Sequence, residues 1–253
     1  MKESRLYISF VLIMKLLLRR RMVPVLMVVI PAAFFLVVYL TTSTRVIPFR
    51  VASMAEDIFI EVGERSCSLA FFAVASVGFL SSYVGLILIQ SNVAVNHRLI
   101  ICGYHPLEIL LSHFIVLFMI ILFVAAYTSL SLLIFFSPSQ FILFFLSLIL
   151  AGWVYGSYGL AIGSLIKGEL EGILMIVLLA NIDAGWLQNP LFYAEAENQV
   201  IIRYLPAYFP SQAAIISAFS TYDVINVVLG SLIYGSLFFI LANAMFYSKM
   251  KKV

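Results

Sequence analysis

Long uninterrupted apolar runs alternate with short polar joints along this chain, and that pattern predicts its elements. No Asp, Glu, Lys or Arg occurs in 22–44, 66–97, 109–166 or 224–248. A bilayer core about 30 Å thick is crossed by about 20 apolar residues in a helix, so the first, second and fourth windows each hold one span. The third is long enough for two. Ser137-Pro138-Ser139-Gln140 divides it, because these residue types favour a turn over helix continuation. A shorter apolar run, Gly172 to Ile182, reaches spanning length only by including Asp183 and continuing to Leu187. Six spans follow, at 22–43, 69–89, 108–135, 141–166, 172–187 and 224–247. Runs of Leu, Ile, Val and Phe without alternation point to helices rather than barrel strands, and in lipid only these two options satisfy the backbone.

Two segments fit neither span nor loop. Residues 1–21 hold an apolar stretch, Leu6 to Met14, too short to cross a bilayer and flanked by basic residues. No small-residue cleavage site follows, so a secretory signal is set aside. An amphipathic helix lying in the interface fits, with Lys15, Arg19, Arg20 and Arg21 as lipid-headgroup anchors. Gln199 to Phe219 is rich in apolar and aromatic residues yet contains Arg203, Pro206 and Pro210. A polar loop would lack the first feature and a spanning helix the second. Residues 188–222 are therefore expected to form a re-entrant or interfacial outer element, with Arg203, Tyr204, Pro206, Tyr208 and Pro210 as its characteristic residues. The fold class expected is an all-α polytopic membrane protein.

Composition agrees. The chain is 64% hydrophobic and 11% charged, with a mean hydropathy of +1.12, against roughly 45–50% and 25% in soluble domains. Charge then sets the orientation. With six spans, the segments on the side of the termini carry Lys2, Arg5, Lys15, Arg19, Arg20, Arg21, Arg98, Lys167, Lys249, Lys251 and Lys252. The opposite side carries Arg45, Arg50, Arg65 and Arg203. Basic residues collect in the cytoplasm, so both termini are expected there, in the cell membrane. The net charge of +3 is then a topology signal and not a nucleic-acid footprint. Cys67 and Cys102 fall on opposite sides and are not expected to pair.

Catalytic patterns are missing. The chain has no G-x-x-x-x-G-K-[ST] run, no G-x-S-x-G elbow and no H-E-x-x-H pair. His97, His105 and His113 are eight residues apart, a spacing that turns successive side chains about 80° on one helix and prevents a shared metal. They are expected at the surface or a helix end. Asp183 is the one acid near the membrane interior. Such residues are functional candidates, but the favoured expectation is that the fifth span ends there and leaves Asp183 among the outer headgroups. Gly152-x-x-x-Gly156 and Gly159-x-x-x-Gly163 match small-residue packing motifs and are expected to mark a close helix contact within the subunit.

The remaining informative stretch is Ser91 to His113, between spans two and three. Its pattern fits a rigid handle for a cytoplasmic partner and an ordinary surface connector equally well. The layout as a whole resembles an ABC-2 type permease, the membrane subunit of an ATP-binding cassette exporter. That family has an amphipathic lead-in helix, six spans, cytoplasmic termini, a coupling helix between spans two and three, and re-entrant outer helices between five and six. Arg98-Leu99-Ile100-Ile101 followed by Gly103, and Leu107-Glu108-Ile109-Leu110-Leu111, resemble its coupling segment and the opening of its third span. Tyr204-Leu205-Pro206 through Tyr208 resembles its outer motif. Asn96 and His97 stand where acids often flank the arginine, and Ser112-His113 replaces a common Gly-Lys.

The resemblance implies a non-catalytic subunit that pairs with a second permease copy or homologue and with two ATP-binding cassette ATPase subunits. ATP and Mg would sit on those partners and no cofactor on this chain. His97, Arg98, Leu99, Gly103, Tyr104 and His105 would meet the ATPase. Cargo would be amphipathic or bulky, such as a drug, natural product, lipid or glycan. Two other classes stay open: a secondary transporter without an ATPase, and a non-transporting membrane assembly partner. An intramembrane enzyme lacks any paired acid, nucleophile and histidine within the spans.

Overall fold

A computed structural model describes residues 5–50, 59–91, 93–166, 168–189, 192–193 and 197–250. Of the basic residues counted above, Lys2, Lys167, Lys251 and Lys252 lie outside these. The elements in chain order are α1 (Arg5–Arg19), α2 (Met22–Thr41), β1 (Val46–Arg50), β2 (Phe59–Gly63), α3 (Glu64–Gln90), α4 (Val93–Ile101), α5 (Pro106–Leu132) and α6 (Phe141–Leu165). They continue with α7 (Glu169–Ala180), which passes into a π-helical stretch (Asn181–Leu187), then α8 (Gln199–Arg203), α9 (Tyr208–Phe219) and α10 (Ile225–Met250). Six helices among the described residues are long and apolar enough to cross a membrane: α2, α3, α5, α6, α7 with its π-helical end, and α10. The chain is a helical, multi-pass membrane protein. Observed and expected spans agree to within about five residues at each end.

Helix α3 is the centre of the bundle. Within its most apolar window 83% of it is buried, against 28% of α2 and of α7 and 22% of α10. Its most extensive partner is α6, which also carries α10 and α9. The two central helices approach closely because glycines line their crossing. A Cβ added at Gly85 would stand 2.5 Å from the Gly156 carbonyl oxygen, and one at Gly159 would overlap the backbone of Ser82. At Gly163 it would stand 3.0 Å from the Leu86 carbonyl oxygen, and at Gly152 2.5 Å from Ile121 Cγ2 on α5. Both glycine pairs of α6 therefore serve contacts inside the subunit, as small residues do between membrane helices.

The connecting segments sort to two ends. At one end, Val62 of β2, Cys67 near the start of α3 and Ile215 of α9 pack in one apolar cluster. The 137–140 turn caps the far end of α9: Ser139 N–H donates to Ala218 O at 2.9 Å, Gln140 N–H to Ser217 O at 2.8 Å, and Gln140 Nε2 to Ser220 O at 2.8 Å. These bonds satisfy carbonyls that a helix C-terminus leaves open. At the other end, Arg20 pairs with Glu169 at 3.3 Å, and Lys249 Nζ donates to Ser164 O at 3.4 Å. The His105 and Tyr247 rings stand 6.3 Å apart there.

Four details depart from the sequence reading. The segment between spans one and two contains an antiparallel strand pair, Val46 pairing Gly63 through to Arg50 pairing Phe59, which an all-α expectation omits. Its first polar tie is Arg45 Nε to Glu64 Oε2 at 2.5 Å. His113 is fully buried instead of lying at a surface. Its Nδ1 bonds Ile109 O at 2.7 Å and its ring faces Phe246 at 6.4 Å. Asp183 is also buried, at 6% exposure, and is treated below. Arg20 is more than a headgroup anchor because it pairs with Glu169, although an exposed pair contributes only about 0–1 kcal/mol. Lys15, Arg19 and Arg21 are exposed on or beside α1, whose Ser9, Ile13 and Leu17 face inward at four-residue spacing. Cys67 and Cys102 are free thiols at opposite ends, as expected.

Gly159→Ala is expected to destabilise the bundle by about 1–3 kcal/mol or more, since backbone cannot move aside as a flexible side chain can. Gly63→Ala, whose Cβ would meet nothing nearer than Ser66 Oγ at 3.8 Å, should cost no more than about 1 kcal/mol, the loss of a favoured N-cap residue on α3. Thermal melts of the detergent-purified variants check the contrast.

Candidate functional site

Helix α4 forms a short shelf between spans two and three. It ends because Gly103 takes a left-handed backbone, φ 87°, the conformation that glycine adopts without a Cβ penalty. Two hydrogen bonds close the end: Gly103 N–H to Ile100 O at 2.9 Å and Tyr104 N–H to Leu99 O at 3.0 Å. These 5→2 and 6→1 bonds form a Schellman motif, and the apolar contact that accompanies it joins the residues at its two ends. Here those residues are Leu99 and Tyr104, and both pack against the main core.

The next helix starts at once. Pro106 occupies the first turn of α5, where a missing N–H costs nothing. His105 caps it, Nδ1 accepting from Leu107 N–H at 3.3 Å, while Glu108 Oε2 accepts from His105 N–H at 3.1 Å. This reciprocal capping box starts α5 two residues earlier than the expected opening at Glu108.

The six residues expected to meet a partner therefore divide. Arg98, Gly103 and His105 are exposed and His97 is half-buried, whereas Leu99 and Tyr104 point into the bundle and hold the shelf in place. Ile101 was not singled out from sequence, yet it is 78% exposed beside Arg98 and Cys102. A large apolar side chain next to an arginine at the tip of a rigid loop is a suitable contact pair for another protein. Asn96 was also missed. It is fully buried, and its side-chain amide has no hydrogen-bond partner among the described residues.

The end of α3 connects to the fifth span through its last residue, Gln90. Its Nε2 donates to Ile166 O at 3.1 Å and Gly168 O at 3.2 Å, the two carbonyls between which α6 gives way to α7. Gly172 makes room for it, since a Cβ there would stand 2.9 Å from Gln90 Nε2. Nothing in the sequence signals this bond. Its partners are backbone carbonyls, which any residue offers.

At the opposite end of α7, Asp183 sits where the helix widens. Gln188 N–H donates to Asp183 O, five residues back, at 3.2 Å, the π-helical pattern that tends to mark functional sites. The Asp183 carboxylate accepts from Tyr155 Oη of α6, from Gln188 Nε2 at 3.2 Å and from the backbone N–H of Ala207 at 2.9 Å. The expected headgroup placement is thus corrected. A carboxylate carried on a short span enters the bundle because three donors from three segments meet it there, which offsets the cost of burial.

Outer residues named from sequence lie close by. Arg203 Nε donates to Tyr193 Oη at 3.3 Å, and the Tyr193 and Tyr208 rings are 6.1 Å apart. Tyr204 is exposed while its carbonyl accepts from Tyr234 Oη of α10 at 2.7 Å. Pro210 is buried in the first turns of α9, and Pro206 is half-buried in the turn before it.

No family model matches the chain, and no match to a curated protein was found. The site must be judged on its own geometry. Among the described residues no group of three or more His, Cys, Asp or Glu could hold a metal ion. An apolar groove of about 590 Å³ opens between α2, α3 and α7, lined by Ile30, Phe34, Phe79, Tyr83, Ile173 and Asn181 among others.

Gly103→Val should cost about 1–2 kcal/mol, because a β-branched residue cannot adopt the left-handed turn without strain. Gly103→Asn, which tolerates that region, should cost less than half as much. Thermal midpoints of the two purified variants test the shelf's construction.

Proposed function

We propose that this chain is the membrane permease subunit of an ATP-binding cassette exporter of the ABC-2 type, in the cell membrane with both termini in the cytoplasm. The observation that carries the reading is α4. It is a short helix placed between spans two and three at the end where the termini lie, seated on the core by Leu99 and Tyr104, and presenting Arg98 and Ile101 outward. The Schellman motif at Gly103 ends α4 and the capping box at His105 opens α5, so the exposed residues between the two helices are held in a defined loop.

The permease acts as a pair, with two separate ATPase subunits docked on the two α4 shelves. ATP binds and is hydrolysed on those partners. Closure of the ATPases pushes the shelf, and because α4 is locked at its end, displacement passes to the spans as rigid-body motion and not as local bending. Gln90 ties the end of α3 to the start of α7, so a displacement of span two reaches span five. Cargo is amphipathic or bulky. The groove between α2, α3 and α7 offers apolar and aromatic walls with a single amide at Asn181, a lining suited to such molecules and poor for small ions. The short outer helices α8 and α9 form a re-entrant cover at the exit.

Isolation of the tagged chain from native membranes in mild detergent should bring down a protein with a P-loop in about equal amount, identified by mass spectrometry. Its absence, under conditions that keep other membrane complexes intact, would move the assignment to a secondary transporter. Arg98→Glu should leave the chain folded and inserted, weaken recovery of that partner at least tenfold, and abolish stimulated ATP turnover. Normal values in both assays would remove Arg98 from the contact.

A further inference from the structure

The groove between α2, α3 and α7 continues into a second space. At the end where Arg20 meets Glu169, a cavity of about 320 Å³ is lined by Arg20, Arg21, Met22, Val23 and Tyr83. Tyr83 lines both spaces, so a basic mouth leads past one half-buried ring into an apolar trough. On α2 the joint wall runs from Arg21 to Phe34. At 1.5 Å per residue that is about 20 Å, half of the 40–45 Å that a bilayer measures with its headgroups. The combined site has the depth of one leaflet, with charge at the surface and apolar walls below it.

The charges of the mouth are unequally engaged. Glu169 takes up Arg20 at 3.3 Å. The Arg21 side chain is exposed and has no ion-pair or hydrogen-bond partner among the described residues. A basic pocket between spans, at headgroup depth, attracts anionic lipid heads. One exposed arginine holds a free anion weakly, because solvent and salt screen it. The trough supplies the remaining contact, and it does so only for a molecule that carries a hydrocarbon chain.

We propose that this continuous site binds one anionic, phosphate-headed lipid from the leaflet at the end of the termini, its head at Arg21 and an acyl chain along Ile30, Phe34 and Phe79. This deepens the export reading, because it names the class of amphipathic molecule that the groove takes. Arg21 selects the head. The trough holds the chain and does not distinguish one head from another.

The experiment titrates the full chain, purified in mild detergent, with phosphatidylglycerol or with phosphatidylcholine of the same acyl chains, and counts bound lipid by native mass spectrometry. Wild type should bind one phosphatidylglycerol at least fivefold more tightly than phosphatidylcholine, the factor expected for one basic residue near a phosphate. Arg21→Gln should remove that preference and leave phosphatidylcholine binding as it was. Lys15→Gln deletes the same charge from α1, outside both spaces, and should keep the preference. Ala33→Phe, at an exposed position on the trough wall, should weaken both lipids. Inorganic phosphate in hundredfold excess should displace neither. Thermal melts of the lipid-free variants should match wild type.

The site is overturned if wild type shows no preference, if Arg21→Gln lowers it no more than Lys15→Gln, if Ala33→Phe binds as wild type does, or if inorganic phosphate displaces the lipid. Selective binding by a chain that recovers no P-loop protein keeps the site and removes the export reading. Recovery of that protein without lipid selectivity does the reverse.

Discussion

The backbone-to-backbone crossing of α3 and α6 is the constraint from which the rest of the bundle follows. Inside a bilayer no hydrophobic force draws helices together, because lipid tails are as apolar as leucine. Association must come from close dispersion contact and from polar groups that find partners. Gly85 and Gly159 remove the side chains that would hold the two helices apart, and the surrounding Leu and Ile side chains then interlock. With that pair fixed, α5, α9 and α10 have a surface to pack against. Helices α2, α7 and α10 nonetheless keep most of their surface outward.

A lightly packed helix needs other attachments, and α7 has them at both ends. At its start, Gln90 reaches into the α6–α7 connection and Arg20 pairs with Glu169. At its far end Asp183 gathers donors from α6 and α9. Between these ends it borders the open groove. Polar ties at its ends and light apolar packing between them set α7 apart from the glycine-lined centre, where close backbone approach carries the packing.

Much of the architecture could be read from residue types in order along the chain. Spans follow from charge-free length, the turn at 137–140 from Ser and Pro, the end of α4 from Gly103, and the outer element from prolines and an arginine set among aromatics. The glycine pairs of α6 announced a close contact without naming its partner, which turned out to be Gly85 and Ser82 on α3. The site was read less completely. Arg98 and Gly103 were found as candidates, yet Leu99 and Tyr104 proved to face inward; Ile101 and Asn96 were named only as motif positions, and Gln90 gave no signal.

What the sequence determined by itself is everything governed by solvent: which segments prefer lipid, which prefer water, and where the chain must turn between them. Those preferences are local, since transfer from water to hydrocarbon depends on the side chain and its immediate neighbours. Only the tertiary structure decided the fate of Asp183. Read along the chain, it is an acid at the end of a short apolar run and belongs among headgroups. In the fold, Tyr155 from 28 positions earlier and the N–H of Ala207 from 24 positions later meet at its oxygens, and their bonds repay the desolvation that a lone carboxylate could not bear. The same holds for Gln90, whose partners lie 76 and 78 positions later. A buried carboxylate has no neighbour on its own helix that can satisfy it, so its stability depends on donors remote in sequence, and that convergence exists only in three dimensions.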